Sequence, residues 1–159
     1  MIIERQALPD IREQVGDQTI AVRFGCFDLL HAGHLQGIDY AAEQADILVI
    51  GVSSDERVRQ RKGPERPVQR QEVRLANVDE VEGVDFSFVV PFQALAVPRA
   101  IAALRPDYFV ESTEYSRRRH GAGWLLDKLG VAYVADPNPS IQSTSNLITW
   151  LRLADETAA

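Results

Sequence analysis

The chain has 159 residues, of which 45% are hydrophobic and 25% are charged, a composition typical of one compact globular domain. Its net charge of −6 argues against a general attraction to nucleic acid or to an anionic membrane, so we expect neither as a partner. No apolar run approaches the roughly 20 residues of a membrane span, the first residues lack a secretory pattern, and Cys26 is the only cysteine. We therefore expect a cytoplasmic protein without a disulfide.

Strand and helix patterns alternate along most of the chain. Residues 1–18 contain one short amphipathic stretch, LPDIREQV, and are interpreted as an N-terminal helical extension. From residue 19 onward, β-branched or continuous apolar runs predict five strands, at 19–24, 46–52, 85–91, 107–111 and 131–136. Apolar residues at helical spacing predict the helices between and after them, at 35–45, 69–81, 95–105, 118–130 and 144–156.

This alternation predicts the α/β class, as a single Rossmann-like domain at 19–156 with a five-stranded parallel sheet flanked by helices. Ligands of such folds bind beyond the carboxyl ends of the strands, near the point where the strand order reverses. The functional residues are therefore expected just after the predicted strands. The connection at 53–68, SSDERVRQRKGPERPV, has no apolar period and is interpreted as an irregular, strongly basic loop.

The segment after the first predicted strand, GCFDLLHAGH at 25–34, carries the clearest chemical pattern. It opens a helix, and His31 and His34 are three residues apart, which places them on one face of the first turn. Gly33 lets a ligand approach the backbone, while free N–H groups and the helix dipole add partial positive charge. The pair predicts an oxyanion site, although a single histidine near a helix start is more commonly a cap or a surface residue.

This segment resembles the HxGH signature of the nucleotidylyltransferase superfamily, and later segments follow in the order of that family. They are GVSSDERV, RKGPERP, the arginine at 74 and STSNLI, so that the resemblance covers roughly residues 19–152. Within the superfamily the chain is similar to the cytidylyltransferases of polyol and amino-alcohol phosphates and to the ADP-heptose-type adenylyltransferases. The resemblance implies a nucleotidylyltransferase domain, in which an acceptor phosphate attacks the α-phosphorus of a nucleoside triphosphate and pyrophosphate leaves.

The resemblance also implies which residues are catalytic. His31 and His34 would contact the triphosphate and stabilise the transition state, as positioned donors do for developing charge. Lys62 would be a mobile cation that closes on the phosphates, with Arg61 able to share the task, and Arg74 would reach the triphosphate or the acceptor. For the lysine and for Arg74 an ordinary solvated surface position is the alternative.

The same resemblance implies a set of nucleotide-binding residues: Gly25, Cys26, Phe27, Gly33, Ser143 and Thr144. Cys26 would act mainly through its backbone N–H, or else would be a small buried residue beside a strand end. Ser143 and Thr144 would offer hydroxyls and backbone N–H groups to the β- and γ-phosphates. They precede an apolar-periodic helix and are therefore also good helix N-caps.

Four residues are implied in acceptor binding: Asp28, Asp55, Glu111 and Tyr115. Asp28 would orient either its loop or the acceptor, and both aspartates could instead be ordinary turn or cap residues. Glu111 stands where heptose-type relatives have lysine, which argues against a heptose phosphate acceptor and suggests an amine or hydroxyl ligand. The stretch 138–142 lacks an arginine found in glycerol- and choline-phosphate enzymes, and the basic cluster at 117–119 could replace it.

The predicted reaction is transfer of CMP from CTP to a small phosphate or phosphonate monoester, because GVSSDERV and KGP resemble the amino-alcohol phosphate enzymes. An ATP-dependent adenylyltransferase acting on a sugar phosphate is the first alternative, and a nucleotide-binding regulator without turnover is the second. Mg²⁺ is expected with the triphosphate, and no protein ligand for it is assigned. We also expect a homodimer, with Trp124 and Trp150 in the core or at an interface.

Overall fold

Five parallel strands form the central sheet of the protein. The computed structural model describes residues 1–112 and 123–158. The strands are β1 (Ile20–Gly25), β2 (Ile47–Ser53), β3 (Phe86–Val90), β4 (Tyr108–Ser112) and β5 (Ala132–Asp136). Their order across the sheet is β3-β2-β1-β4-β5, and every pairing is parallel. The predicted single Rossmann-like α/β domain with a five-stranded parallel sheet is confirmed.

Helices precede, connect and follow the strands. Besides one turn of 3₁₀ helix at Arg5–Ala7, the described residues form α1 (Leu8–Val15), α2 (Ala32–Ala42), α3 (Asp55–Lys62), α4 (Gln71–Asp79), α5 (Ala96–Leu104), α6 (Gly123–Leu129) and α7 (Thr144–Ala158). They cover both faces of the sheet, since two apolar clusters lie on opposite sides of it. Ala21 and Val22 belong to different clusters, because neighbouring strand residues point to opposite faces.

The strand order reverses beside β1, and this reversal positions the site. The chain builds β1, β2 and β3 in one direction across the sheet, and then returns to add β4 and β5 on the other side of β1. The crevice for a ligand in such a sheet opens at this reversal, beyond the carboxyl ends of the central strands. The histidine segment follows β1 directly and therefore lies at the reversal point.

The first 18 residues are part of the domain and not an appended extension. Leu8 and Ile11 of α1 are buried in the apolar cluster that also contains residues of β1 and α5. Ile2 forms a parallel bridge with Ser87 on the outer edge of β3, and the Met1 ammonium group lies 2.8 Å from a carboxylate oxygen of Asp79. The helix predicted in this segment is present, but the predicted boundary at residue 19 does not separate two structural units.

One helix was missed by the sequence prediction, because α3 lies within the stretch 53–68 that was interpreted as a loop. Val58 is its only apolar residue, so an apolar period cannot reveal it. Its ends are stabilised instead: the Ser54 hydroxyl accepts from the Arg57 N–H, and Gly63 has a positive φ of 99° after the last turn. Acidic residues in its first turn and basic residues in its last complement the helix dipole.

Several large apolar side chains of α6 and α7 are exposed. Trp124 is 61% exposed and Trp150 is 62% exposed, so the prediction of a core position is wrong for both, and an interface position remains open. Leu151 and Leu153 on α7 are also exposed. Within residues 1–112 and 123–158, no helix is both long and apolar enough to span a bilayer.

Candidate active site

A cavity of about 210 Å³ opens beyond the carboxyl ends of β1, β2, β4 and β5. Its walls are completed by the first turn of α2, the inner side of α3 and the first turn of α7. Most of the predicted site residues line it: Gly25, Cys26, Phe27, His31, Gly33, His34, Lys62, Glu111, Ser143 and Thr144. Arg74, Asp28 and Asp55 are not among its lining residues, and Tyr115 lies outside the described residues.

The two histidines are stacked at the start of α2. Their ring centroids are 3.8 Å apart with an interplanar angle of 17°, and the His34 ring also lies 5.4 Å from that of Phe27. Burial lowers the pKa of His34 to about 3, with further contributions from His31, Lys62 and Arg23, and burial also lowers the pKa of His31. Both imidazoles are therefore neutral near pH 7.

Neutral imidazoles in this position are suited to hydrogen bonding with an anionic ligand. Both Nδ1 atoms are buried and have no hydrogen-bond partner among the described residues. The Nε2 atom of His31 lies 3.4 Å from the Thr144 hydroxyl, which connects the histidine pair to the start of α7. Each neutral ring carries one N–H donor and one acceptor nitrogen, and both residues line the cavity that a ligand would enter.

The segment between β1 and the histidines has a strained backbone. Phe27 and Leu29 have positive φ values of 52° and 50°, which residues other than glycine seldom adopt. The Phe27 ring is buried and covers Gly25, where an added Cβ would lie 2.6 Å from a ring carbon. Gly25 is therefore required for packing of the loop, and Cys26 of this loop lines the cavity.

Cys26 lines the cavity with a protonated thiol. Burial raises the pKa of its thiol, so that the neutral form is favoured near pH 7. Its carbonyl oxygen accepts a hydrogen bond from Nη1 of Arg74, which fixes the peptide at the end of β1. A reactive thiolate is not expected here.

Asp28 holds a loop and does not face the cavity. It is fully buried and accepts from the backbone N–H groups of Val68 and Gln69 and from Nε of Arg66 at 2.9 Å. Burial would raise the pKa of Asp28, but these backbone donors and Arg66 outweigh it and lower the pKa. Of the two roles predicted for Asp28, the structure supports orientation of the loop. It does not support contact with an acceptor, because the carboxylate is buried and does not line the cavity.

Arg74 is likewise a buried structural residue. Its guanidinium donates to the carbonyl oxygens of Gln69, Cys26 and Ser53, and it pairs with Asp55 at 2.8 Å. Its relative exposure is 0%, so the predicted direct contact with a triphosphate is corrected. Asp55 pairs with Arg74 at the start of α3 and does not line the cavity, so the structure does not support its predicted contact with an acceptor. Together they join the loops that follow β1 and β2.

The start of α7 closes the cavity on the side opposite α3. The Ser143 hydroxyl accepts from the Asn146 N–H, as a helix N-cap does, and the Thr144 hydroxyl donates to the Asp28 carbonyl oxygen at 2.7 Å. Gly33 packs directly against the stretch before this helix, since an added Cβ would contact the Gln142 carbonyl oxygen and lie 2.9 Å from the Ser140 hydroxyl. A close approach to Gly33 is therefore made by the chain itself, in the stretch before α7.

Sequence reasoning missed three charged residues that line the cavity: Arg23, Arg57 and Asp136. Arg23 of β1 lines the floor with Glu111 and Asp136, and its Nη1 atom is buried without a hydrogen-bond partner among the described residues. Burial lowers the pKa of Arg23, although Asp136 and Glu111 oppose this shift. A lone arginine in the otherwise apolar stretch TIAVRF is a signal that could have revealed it, because an unpaired charge is rarely buried without a reason.

The cavity is strongly cationic on its α3 side. Lys62, predicted from the basic stretch, lines it together with Arg57 and Arg61. Glu111 is buried on the opposite side, and the Tyr133 hydroxyl lies 3.5 Å from its carboxylate. Within the described part of the chain, no group of three or more His, Cys, Asp or Glu side chains has a metal-binding arrangement. The geometry therefore suits a large anion held by imidazoles, helix N-termini and cations.

Two solved structures share this fold. The lipopolysaccharide core biosynthesis protein from Thermoplasma volcanium GSS1 is 22% identical, with a TM-score of 0.62, over 74% of this chain and 93% of that chain. Pantoate-beta-alanine ligase from Francisella tularensis is 14% identical, with a TM-score of 0.54, over 91% of this chain and 69% of that chain. At these identities the likeness concerns the fold alone.

Sequence comparisons give the family. The bifunctional protein HldE of Desulfatibacillum aliphaticivorans is 32% identical over 93% of this chain, and HldE of Vibrio cholerae serotype O1 (strain ATCC 39541 / Classical Ogawa 395 / O395) is 37% identical over 70% of it. The chain spans only 29% and 23% of these relatives. The model of the cytidylyltransferase-like family matches residues 22–124, which include β1, the stacked histidines and α3. The chain thus belongs to the cytidylyltransferase-like family.

Proposed function

We propose that the protein transfers AMP from ATP to the phosphate of a small phosphorylated acceptor of the sugar or polyol type, with release of pyrophosphate. The observation that carries this proposal is the neutral, stacked pair of His31 and His34 at the mouth of a cationic cavity at the strand reversal. The site has the donors needed to hold a triphosphate, and the proposed reaction requires no nucleophile–base pair. The family membership supports the same reaction class.

The proposed reaction needs positioning more than acid–base chemistry. An oxygen of the acceptor phosphate attacks the α-phosphorus of ATP, a new P–O bond forms, and the bond to the β-phosphate oxygen breaks with its electrons leaving on pyrophosphate. The attacking oxygen is already anionic, so no strong general base is needed. Catalysis then consists of holding the two anions together and stabilising charge at the α-phosphate.

Each part of the cavity has a proposed role in that step. The neutral His31 and His34 hydrogen-bond the α-phosphate region, and the amide groups at the starts of α2 and α7 bind phosphate oxygens with Ser143 and Thr144. Lys62, at the exposed end of α3, closes on the phosphates from the opposite side. Glu111 is proposed to accept from a hydroxyl or amine of a substrate, and Tyr115 to assist it.

Mg²⁺ is proposed to enter with the nucleotide, where it neutralises charge on the phosphate oxygens. The cations of α3 line the cavity, and they favour an anionic metal–nucleotide complex over a free divalent ion. Glu111 and Asp136 are the described carboxylates that line the cavity. No step of the proposed mechanism depends on a protein ligand to the metal.

ATP is preferred to CTP on the basis of the relatives. Sequence motifs favoured CTP, whereas the curated relatives are bifunctional HldE proteins and thus favour the adenylyltransferase alternative of the ADP-heptose type. The chain covers under a third of those relatives, so their acceptor is not transferred to it. Glu111 in place of the lysine of heptose-type relatives supports a different phosphorylated acceptor.

Pyrophosphate release tests the proposal. The protein is incubated with Mg²⁺, each of the four nucleoside triphosphates, and a panel of sugar, polyol and amino-alcohol phosphates and phosphonates. We expect release with ATP and at least one sugar or polyol phosphate. Turnover with CTP alone would return the base assignment to the sequence prediction, and no turnover with any triphosphate would contradict the proposal.

A variant pair links that activity to the histidine site. His34→Ala is expected to lower kcat/KM by about 10²–10³-fold, the range for loss of one preorganised donor. Asp39→Ala, on the exposed outer side of the same helix, is the matched control and should leave kcat/KM unchanged. Equal activity of the two variants would remove His34 from the mechanism.

A further inference from the structure

We propose that Arg57 and Arg61 form the binding site for the acceptor's phosphate group, separate from the residues that hold the triphosphate. This inference rests on the proposed function, because it assigns the second anionic substrate of that reaction. It gives these two arginines a specific role in recognition. No sequence motif identified them as a pair.

The two arginines share one face of α3 and point into the same space. They are four residues apart, so that they lie one above the other on successive helical turns. Both line the main cavity, and both line a small recess that leads off it. The other lining residues of this recess are Phe24, Gly25, Ser53, Val90 and Val97.

Charge pairing distinguishes these arginines from others in the structure. Arg74 is paired with Asp55, Arg66 with Asp28 and Arg12 with Asp107. Within residues 1–112 and 123–158, neither Arg57 nor Arg61 has a carboxylate within 4.0 Å or a side-chain hydrogen bond. Their charges are thus available to an anion that enters the cavity.

The electrostatic cost of holding Arg57 close to Arg61 also indicates an anionic ligand. Arg57 is half-buried, and its pKa is lowered first by burial and then by the nearby charge of Arg61. Two like charges held together with partial loss of water destabilise the free protein, and a dianion placed between them would offset both effects. A guanidinium also matches the oxygens of a phosphate group in a bidentate geometry.

The position of the pair relative to the histidines fits two separate anions. α3 follows β2, so Arg57 and Arg61 lie on the β2–β3 side of β1, and the recess is walled there by Val90 of β3 and Val97 of α5. The starts of α2 and α7 hold the histidine side of the cavity. An in-line displacement needs the attacking and leaving oxygens on opposite sides of the α-phosphorus, and anion sites on two sides of the cavity satisfy this requirement.

The recess limits what part of the acceptor enters it. It has a volume of about 20 Å³, enough for one water-sized group. This volume is too small for a whole sugar ring, and Arg57 and Arg61 favour a phosphate oxygen in it. We therefore assign to it the phosphate end of the acceptor, while the rest of the acceptor occupies the main cavity.

Steady-state kinetics of three arginine variants test the assignment. Arg57→Gln and Arg61→Gln are each expected to raise KM for the acceptor by about 10-fold or more, as for loss of a charge-assisted hydrogen bond, while KM for ATP changes less than about twofold. Arg59→Gln on the same helix is the matched control, because Arg59 is exposed and lines neither the cavity nor the recess. Parallel increases in both KM values, or no increase in either, would overturn the assignment.

A binding measurement separates this proposal from the proposed function. Inorganic phosphate is titrated calorimetrically into protein saturated with α,β-methylene ATP, which needs no turnover and no identified acceptor. We expect binding to the unmodified protein and to Arg59→Gln, and at least about tenfold weaker binding to Arg57→Gln and Arg61→Gln. If turnover fails but this difference is present, the arginine site stands and the reaction assignment falls; equal binding by all variants overturns the site.

Discussion

At the scale of single residues, the sequence predicted where the anion-binding residues lie in the chain better than it predicted which way each side chain points. The residue types in GCFDLLHAGH predicted an anion site, and His31 and His34 do lie stacked at the cavity. Asp28 and Arg74 come from the same motifs, yet they are turned into the protein and bind backbone groups. A sequence gives the residue type and its approximate position, but the partner that satisfies a buried charge is set by packing between distant segments.

The buried guanidinium of Arg74 gives a prediction about stability. Arg74→Gln should lower the free energy of unfolding by about 3–5 kcal/mol, because Asp55 and three carbonyl oxygens lose their charged donor. Urea unfolding followed by circular dichroism measures the change. Arg99→Gln, at an exposed position on α5, should change it by less than about 0.5 kcal/mol. An unchanged stability with a raised KM for ATP would instead support direct contact with the ligand.

The stacked histidines give a prediction about pH. The pKa of His34 is about 3 in the folded protein, chiefly because of burial, and its ordinary value is 6.5. Between these values the unfolded chain binds a proton that the folded chain does not, so the free energy of unfolding falls as the pH drops below 6.5. The loss attributable to His34 is about 2 kcal/mol between pH 7 and pH 5, at about 1.4 kcal/mol per pH unit below 6.5.

The variant His34→Asn isolates this contribution, since asparagine does not titrate. Urea unfolding of both proteins at pH 7 and pH 5 should show a pH-dependent loss about 2 kcal/mol smaller in the variant. The same pH dependence in both proteins would mean that His34 is protonated in the fold at pH 5. That result would contradict the lowered pKa of His34 in the folded protein.

At the scale of helices and strands, the sequence predicted those elements whose buried residues give a clear apolar pattern. The run ILVIGV at 47–52 is apolar throughout because β2 is covered on both faces, and the six residues of β2 from Leu48 to Ser53 are buried. α3 was missed because it has a single buried apolar residue and is stabilised by its caps and charges. That omission also hid Arg57, since only a helix brings it onto the same face as Arg61.

Packing between α2 and the stretch before α7 can be tested at Gly33. In Gly33→Ala the new Cβ meets the Gln142 carbonyl oxygen, which is backbone and cannot move without displacing the start of α7. We expect a loss of about 1–3 kcal/mol in stability and weaker ATP binding, because Ser143 and Thr144 shift with that stretch. Thermal unfolding and calorimetric titration of ATP measure the two effects.

Gly37→Ala is the matched control for that prediction, because it adds the same methyl group to the same helix. Its Cβ meets the end of the flexible Arg23 side chain and not a backbone atom. The gain in helix propensity, up to about 1 kcal/mol, further reduces its cost. A Gly37→Ala variant that is destabilised as much as Gly33→Ala would contradict the role given to the stretch before α7.

At the scale of the whole molecule, average properties predicted the class of the protein but not its binding surface. The net charge of −6 excludes a uniformly basic surface, yet Arg23, Arg57, Arg61 and Lys62 converge on one cavity. The fold creates this local field by placing strand ends and α3 around the same opening. A total charge cannot reveal such clustering, because it sums the charges of the whole chain regardless of where they lie.

The exposed apolar residues of α6 and α7 support the prediction of a homodimer. Trp124, Trp150 and Leu151 are each more than 60% exposed, and the sequence interpretation placed the tryptophans in the core or at an interface. With the core position excluded, we expect these helices, which flank the edge strand β5 in the chain, to pack against a second copy. Light scattering at micromolar concentration should then give twice the 17.7 kDa of one chain.

A charge placed in that apolar surface should abolish the dimer without unfolding the domain. Leu151→Glu is expected to give a monomer, because burying an unpaired carboxylate at the interface costs several kcal/mol while its exposed position in the single chain tolerates it. Val73→Glu, an exposed apolar position on α4, is the matched control and should remain dimeric. Unmodified protein of 17.7 kDa at micromolar concentration would contradict the dimer, and an unchanged dimer in Leu151→Glu would move the interface away from α7.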